Sequence, residues 1–156
     1  MKRASIISSA LVLFLTQATA QEWQQFGIKK FDFIFDVPPT YELIKEYEGG
    51  GGAAFVSPEG DLLAVWGIKV EPHDFRVAIE DQISSDEKEG WEVTYERVEY
   101  DWAAYSGVKD DMIRYVKAIT VCDDRAAFLL MEYHRDLKVD YDPIVTRMEK
   151  SMQSKC

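Results

Sequence analysis

Asparagine is absent from all 156 residues, so the chain offers no N-glycosylation acceptor, a lack that fits a bacterial better than a eukaryotic exported protein. Histidine and cysteine occur twice each. A zinc site needs three or four His, Cys or acid ligands, usually closely spaced. His73 in "EPHD" and His134 in "EYHRD" have acids beside them, as chance dictates in a chain with 28 acidic residues, and no metal is expected. The alternating acids of a calcium loop are missing, and "DLKVDYD" (Asp136, Asp140, Asp142) is better read as the approach to a helix capped by Asp142. No Gly-x-Ser-x-Gly is present to mark a nucleophile, and no residue pattern asks for a cofactor. Lysine and arginine total 18, and no basic cluster offsets the net charge of −10, which argues against nucleic acid and anionic lipid as partners.

What is present begins with "MKRASIISSALVLFLTQATA", residues 1–20. Lys2 and Arg3 precede an apolar core, Ile6 to Leu15, and Ala18-Thr19-Ala20 supplies the small residues read before cleavage. The pattern predicts a secretory signal peptide; the alternative, an uncleaved anchor, falls short of the roughly 20 apolar residues that span a bilayer. No cysteine follows the apolar run, which excludes a lipoprotein anchor, and no later stretch is apolar enough to span. The expectation is a periplasmic or secreted protein with one domain over residues 21–156 and no membrane insertion after cleavage. The leader takes two positive charges with it, so −10 becomes −12.

Four consecutive glycines, Gly49 to Gly52, invite a phosphate-loop reading. A phosphate loop needs Gly-Lys-Ser/Thr opening a helix, and a dinucleotide fingerprint also needs a helix next. Here "AAFV" follows, a strand without lysine, so a mobile or tight turn is expected.

Periodicity gives the rest. "FDFIFDVP" alternates, with Phe31, Phe33 and Phe35 on one face, and residues 21–30 read as a lead-in. "AAFVSP" and "DLLAVWGIKV" form a hairpin around Pro58-Glu59-Gly60. Phe75, Ile79 and Ile83 make a helical stripe between Asp74 as cap and Gly90 as stop. "WEVTYERVEYDW", "DMIRYVKAITVC" and "RAAFLLMEYHRD" read as three antiparallel strands. "DPIVTRMEKSM" reads as a helix with Asp142 as cap, Pro143 first, and Ile144, Met148 and Met152 on one face. The predicted fold class is α+β: a single antiparallel sheet of about six strands with helices packed on it.

The order of elements and three local stretches resemble the Mog1/PsbP-like family. "FDFIFDVPPTYEL" looks like its opening strand running into a proline, and "FVSPEGDLLAVW" like its second strand, turn and third strand. "VDYDPIVTRMEKSM" is similar to its closing helix with a Ser-hydrophobic end, here Ser151-Met152. The resemblance spans residues 31–152. It implies a non-enzymatic module that binds or helps assemble other proteins, a small GTPase in one member and photosystem II in another. An export signal argues against a GTPase here.

Two further expectations concern named side chains. In "YDWAAYSG", Trp102 and Tyr105 are placed at a strand end or loop, exposed and suited to a protein contact. An even cysteine count in an oxidising compartment favours pairing of Cys122 with Cys156. The last strand carries the chain about 36 Å away from Cys122. The final helix returns about 16 Å and the tail up to about 13 Å, most of the distance. The functional readings are therefore an exported binding or assembly module, a periplasmic immunity protein against a toxin, or a small hydrolase using cleft carboxylates.

Overall fold

The structure, a computed structural model, describes residues 22–71 and 74–156. The leader expected over residues 1–20 and His73 lie outside the described residues. The elements run β1 Gln24–Ile28, β2 Phe33–Val37, β3 Glu42–Glu46, β4 Gly52–Val56, β5 Leu62–Lys69, α1 Phe75–Lys88, β6 Glu92–Val98, β7 Trp102–Lys109, β8 Met112–Val121, β9 Arg125–His134, α2 Lys138–Ser151 and β10 Gln153–Ser154.

The fold is α+β, but the expected single sheet of about six strands is corrected. Seven strands pair antiparallel in the order β3-β4-β5-β9-β8-β7-β6, and β1-β2-β10 make a separate three-stranded sheet. The six expected strands are β2, β4, β5, β6, β8 and β9. The four others have weak periodic signals for physical reasons. β3 is an edge strand exposed along its whole length, so nothing in it alternates. β7 is built on Ala103, Ala104, Ser106 and Gly107, whose small side chains read as a turn. β1 is polar at its start, and β10 is two residues long.

The second sheet exists because the large one is apolar on both faces. Along the central strand β9, Ala127, Leu129, Met131 and Tyr133 face one core, and Ala126, Phe128 and Leu130 face another. α1 covers the latter with Phe75, Ile79 and Ile83, as the stripe predicts. The former is covered by β2, through Phe33, Phe35 and Val37, and by α2. A strand buried on both faces reads as a continuous apolar run, which is how "AAFLLM" looks. Gly67 of β5 makes room for Phe31, whose ring would stand 2.2 Å from a Cβ there.

Local corrections follow from the same packing. Phe31 sits in a 3-10 turn before β2 rather than in the strand. Gly49 and Gly50, both at φ +71°, form an ordered turn joining β3 to β4, where the Gly50 N–H donates to the Tyr47 carbonyl at 3.0 Å. Asp74 precedes α1 but makes no side-chain cap bond; Gly90, at φ +96°, follows the helix end as expected. α2 begins at Lys138, four residues before its expected cap, because a 3-10 turn over Arg135–Leu137 feeds directly into it. Asp142 is therefore inside the helix, ion-paired with Lys138 at 2.9 Å. The buried stripe is Tyr141, Val145, Met148 and Met152, with Ile144 half-buried beside it.

Cys122 lies in the β8–β9 turn and Cys156 ends the chain; their sulfurs are bonded, with Cα atoms 5.5 Å apart. β10 pairs with β2, and the Lys155 N–H donates to the Asp32 carbonyl at 2.7 Å, so the tail runs extended along the small sheet to the turn. The Asp32 carboxylate in turn pairs with Arg125 at the start of β9. Among the described residues no helix is long and apolar enough to cross a membrane.

Candidate functional site

Two buried polar networks position the helices. On the α1 side, Asp86 is 1% exposed and accepts from the Tyr105 hydroxyl (2.6 Å), Arg114 Nη1 (2.6 Å) and Gln82 Nε2 (3.1 Å). The other edge of the Arg114 guanidinium holds Glu132 at 2.5 Å, and its plane lies 4.2 Å from the Trp91 ring centroid. On the α2 side, the Tyr141 hydroxyl donates to Asp61 at 2.5 Å and shares a hydrogen bond with Tyr41 at 2.9 Å. Ser57 closes the cluster onto Asp61, and Tyr133 stacks on Tyr141 with centroids 4.3 Å apart. Among the described residues no buried side-chain polar atom lacks a partner.

Burial of the phenols gives a pH prediction. Burial first, then the bond to Asp61, pushes Tyr141 up to about 12. Burial likewise raises Tyr41, Tyr105, Tyr115 and Tyr133. The unfolded chain sheds these protons from about pH 10, while the folded chain keeps them. The stability they contribute is thus complete below about pH 10 and is lost as pH rises toward the folded values, at about 1.4 kcal/mol per pH unit for each phenol. Urea midpoints at about pH 9 and about pH 11 should differ clearly, with the phenolate absorbance of these five tyrosines appearing only as the protein unfolds. Equal midpoints would refute the assignment.

The open site lies on the α2 side of the large sheet. α2 and the small sheet cover β4, β5, β9 and most of the near face of β8 but leave β6 and β7 uncovered, and the step between them is a groove of about 570 Å³. Its floor is Ala104 and Ser106 of β7. Cross-strand register sets two adjacent rows over that floor: Tyr95–Ser106–Tyr115, and Arg97–Ala104–Lys117. Trp102 ends the groove, with Lys117 Nζ 3.8 Å and the Arg97 guanidinium 5.1 Å from its ring centroid. The α2 wall contributes Glu149, which accepts from the Tyr115 hydroxyl, and Asp142 in its pair with Lys138. Burial holds the Lys117 ammonium below the ordinary lysine range. Arg97 pairs with Glu99 at 2.8 Å; among the described residues no carboxylate comes within ion-pair distance of Lys117.

The expected interaction pair is divided by this geometry. Trp102 and Tyr105 are both in β7, three residues apart, and an odd spacing puts them on opposite faces. Trp102 is half-buried in the groove; Tyr105 is 2% exposed, bonded to Asp86 under α1. Tyr105 is therefore a core residue and not an exposed contact. Lys117, Tyr115 and Tyr95 were not singled out from sequence. The available signal was a lysine alternating with Ile113, Tyr115 and Ile119 on one face of β8. His134 accepts a hydrogen bond from the Asp136 N–H at 3.3 Å, a turn contact. Among the described residues no group of three His, Cys, Asp or Glu is placed to hold a metal. Glu71, Asp74 and Asp81 line a separate depression of about 400 Å³ between α1 and β5.

A seven-stranded antiparallel sheet, with one helix on one face and a helix plus a small sheet on the other, places the molecule in the α+β class. The chain has the PsbP/Mog1-like fold. It is similar to cyanobacterial PsbP (CyanoP) from Synechocystis, with a TM-score of 0.63 at 12% identity over 88% of this chain and 95% of that one. It is also similar to a Bacteroides thetaiotaomicron protein, with a TM-score of 0.53 at 11% identity over 88% of this chain and 50% of that one. No protein-family model and no curated protein matches the sequence.

Proposed function

We propose that residues 21–156 form an exported, non-enzymatic protein-binding or assembly module, released after Ala20, whose partner docks in the β6–β8 groove. The observation that carries the reading is the groove itself: a half-buried Trp102 flanked by two cations, over a floor of small residues, beside an otherwise acidic surface. Half-buried tryptophan and arginine are the side chains that dominate binding energy at protein interfaces. The Cys122–Cys156 bond supports an oxidising compartment, and the PsbP-like fold is in keeping with an assembly role. An immunity protein would be the case in which the partner is a toxin.

A photo-crosslinking phenylalanine analogue in place of Tyr95, on the groove rim, should trap a discrete partner in intact cells. The same analogue at Val77, on the exposed face of α1, should not. Trp102→Ala should weaken the trapped complex by about 30-fold, a hot-spot effect of about 2 kcal/mol. Crosslinks equal at the two positions, or unaffected by Trp102→Ala, would sink the groove as the docking site.

A further inference from the structure

The two rows over the groove floor differ in chemistry and lie two residues apart along β7, so about 6.7 Å separates them. The first is a slot between two aromatic rings, Tyr95 and Tyr115, over Ser106. The second sets two cations, Arg97 and Lys117, across Ala104 on either side of the Trp102 ring. Alternate side chains of an extended segment have the same spacing and point the same way. Resting on the docking reading above, we propose that the groove takes an extended segment of a partner polypeptide with an aromatic side chain two residues from an aspartate or glutamate. The ring enters the tyrosine slot and the carboxylate meets Lys117.

The argument for the carboxylate is one of unmet charge. Arg97 is paired with Glu99 at the exposed rim, and the charged side chains lining the groove inside it are Lys117, Lys138, Asp142 and Glu149. Lys138 and Asp142 neutralise each other, and Glu149 is engaged by Tyr115. Among the described residues Lys117 makes no ion pair: its ammonium lies on the Trp102 face, Glu149 and Asp101 act on it only from beyond ion-pair distance, and partial burial penalises its charge. A half-buried cation is stabilised by an anion that brings charge-assisted hydrogen bonds. Lys117 combines the lack of an ion pair with partial burial inside a groove, which gives an incoming carboxylate a cation to meet.

The test is an NMR titration of the labelled protein at physiological salt, where long-range repulsion is screened. The probes are acetyl-Ala-Phe-Ala-Glu-Ala-amide and its Gln counterpart. The Glu peptide should move the Trp102 indole and the Ala104 and Ser106 amides, and the Gln peptide should bind about tenfold more weakly, the loss of one charge-assisted contact. Lys117→Gln should erase the difference, and Lys117→Glu should transfer the preference to the matching Lys peptide. The amide spectrum recorded in the same titration reads directly whether Lys117→Gln is folded. Equal binding of the Glu and Gln peptides by the native protein would overturn carboxylate recognition while leaving the docking site, judged by the Tyr95 crosslink, intact. No shifts at millimolar peptide, or shifts outside the groove, would overturn the whole inference.

Discussion

Asp86→Ala should destabilise the protein by about 3–5 kcal/mol, the usual cost of breaking a buried ion pair from one side. Asp86 is the last buried residue of α1 and holds the helix to three elements at once. Its carboxylate takes Arg114 of β8 and Tyr105 of β7, while Arg114 extends the connection to Glu132 of β9. Alanine removes two acceptors of short hydrogen bonds. Arg114, its side chain 11% exposed, is left with Glu132 and a 3.6 Å approach to Glu89, and the Tyr105 hydroxyl is left with no carboxylate. Neither group can turn to water without displacing α1. Tyr105→Phe, which removes only one donor, should cost about 1–3 kcal/mol. Urea unfolding reads both, and a loss under about 1 kcal/mol for Asp86→Ala would show that the network is not a structural anchor.

Replacing Cys122 and Cys156 by serine, or reducing them, should cost about 3–4 kcal/mol through the loop of 34 residues that the bond closes. The effect should be local before it is global. Cys122 has a positive φ of 49°, in a turn followed by Asp123 at 61°, conformations that non-glycine residues seldom adopt. Releasing the bond frees the turn and the tail together. The amides of Ser154 and Lys155, which face β2 and Asp32, should therefore exchange faster on reduction, while those of β7 keep their protection. Oxidised and reduced protein with the same urea midpoint would show that the clamp contributes nothing.

The hydrophobic pattern alone determined the α+β class, the six strands with clear alternation and the stripe of α1. In each, one buried face imposes its period on the residues. It also contained the PsbP-like likeness, whose marks are turns and apolar spacings. The cysteines could be matched because strand rise, helix rise and tail length are fixed by backbone geometry. Only tertiary structure decided the rest. β3 is exposed and β7 is made of small residues, so neither shows a period until its neighbours are in place. β2 leaves the main sheet because the second apolar face of β9 must be covered, a demand that comes from a strand about ninety residues away. The start of α2 was misplaced because Asp142 and Pro143 suit a helix beginning, while Tyr141 and Lys138 belong to the helix through contacts distant in the chain. Trp102 and Tyr105 looked alike in sequence; strand pleating separated them into a groove residue and a core residue. Lys117 became visible only when register set it beside Ala104 and Trp102, because a lysine on a strand shows its lack of a partner only once every neighbour has been placed.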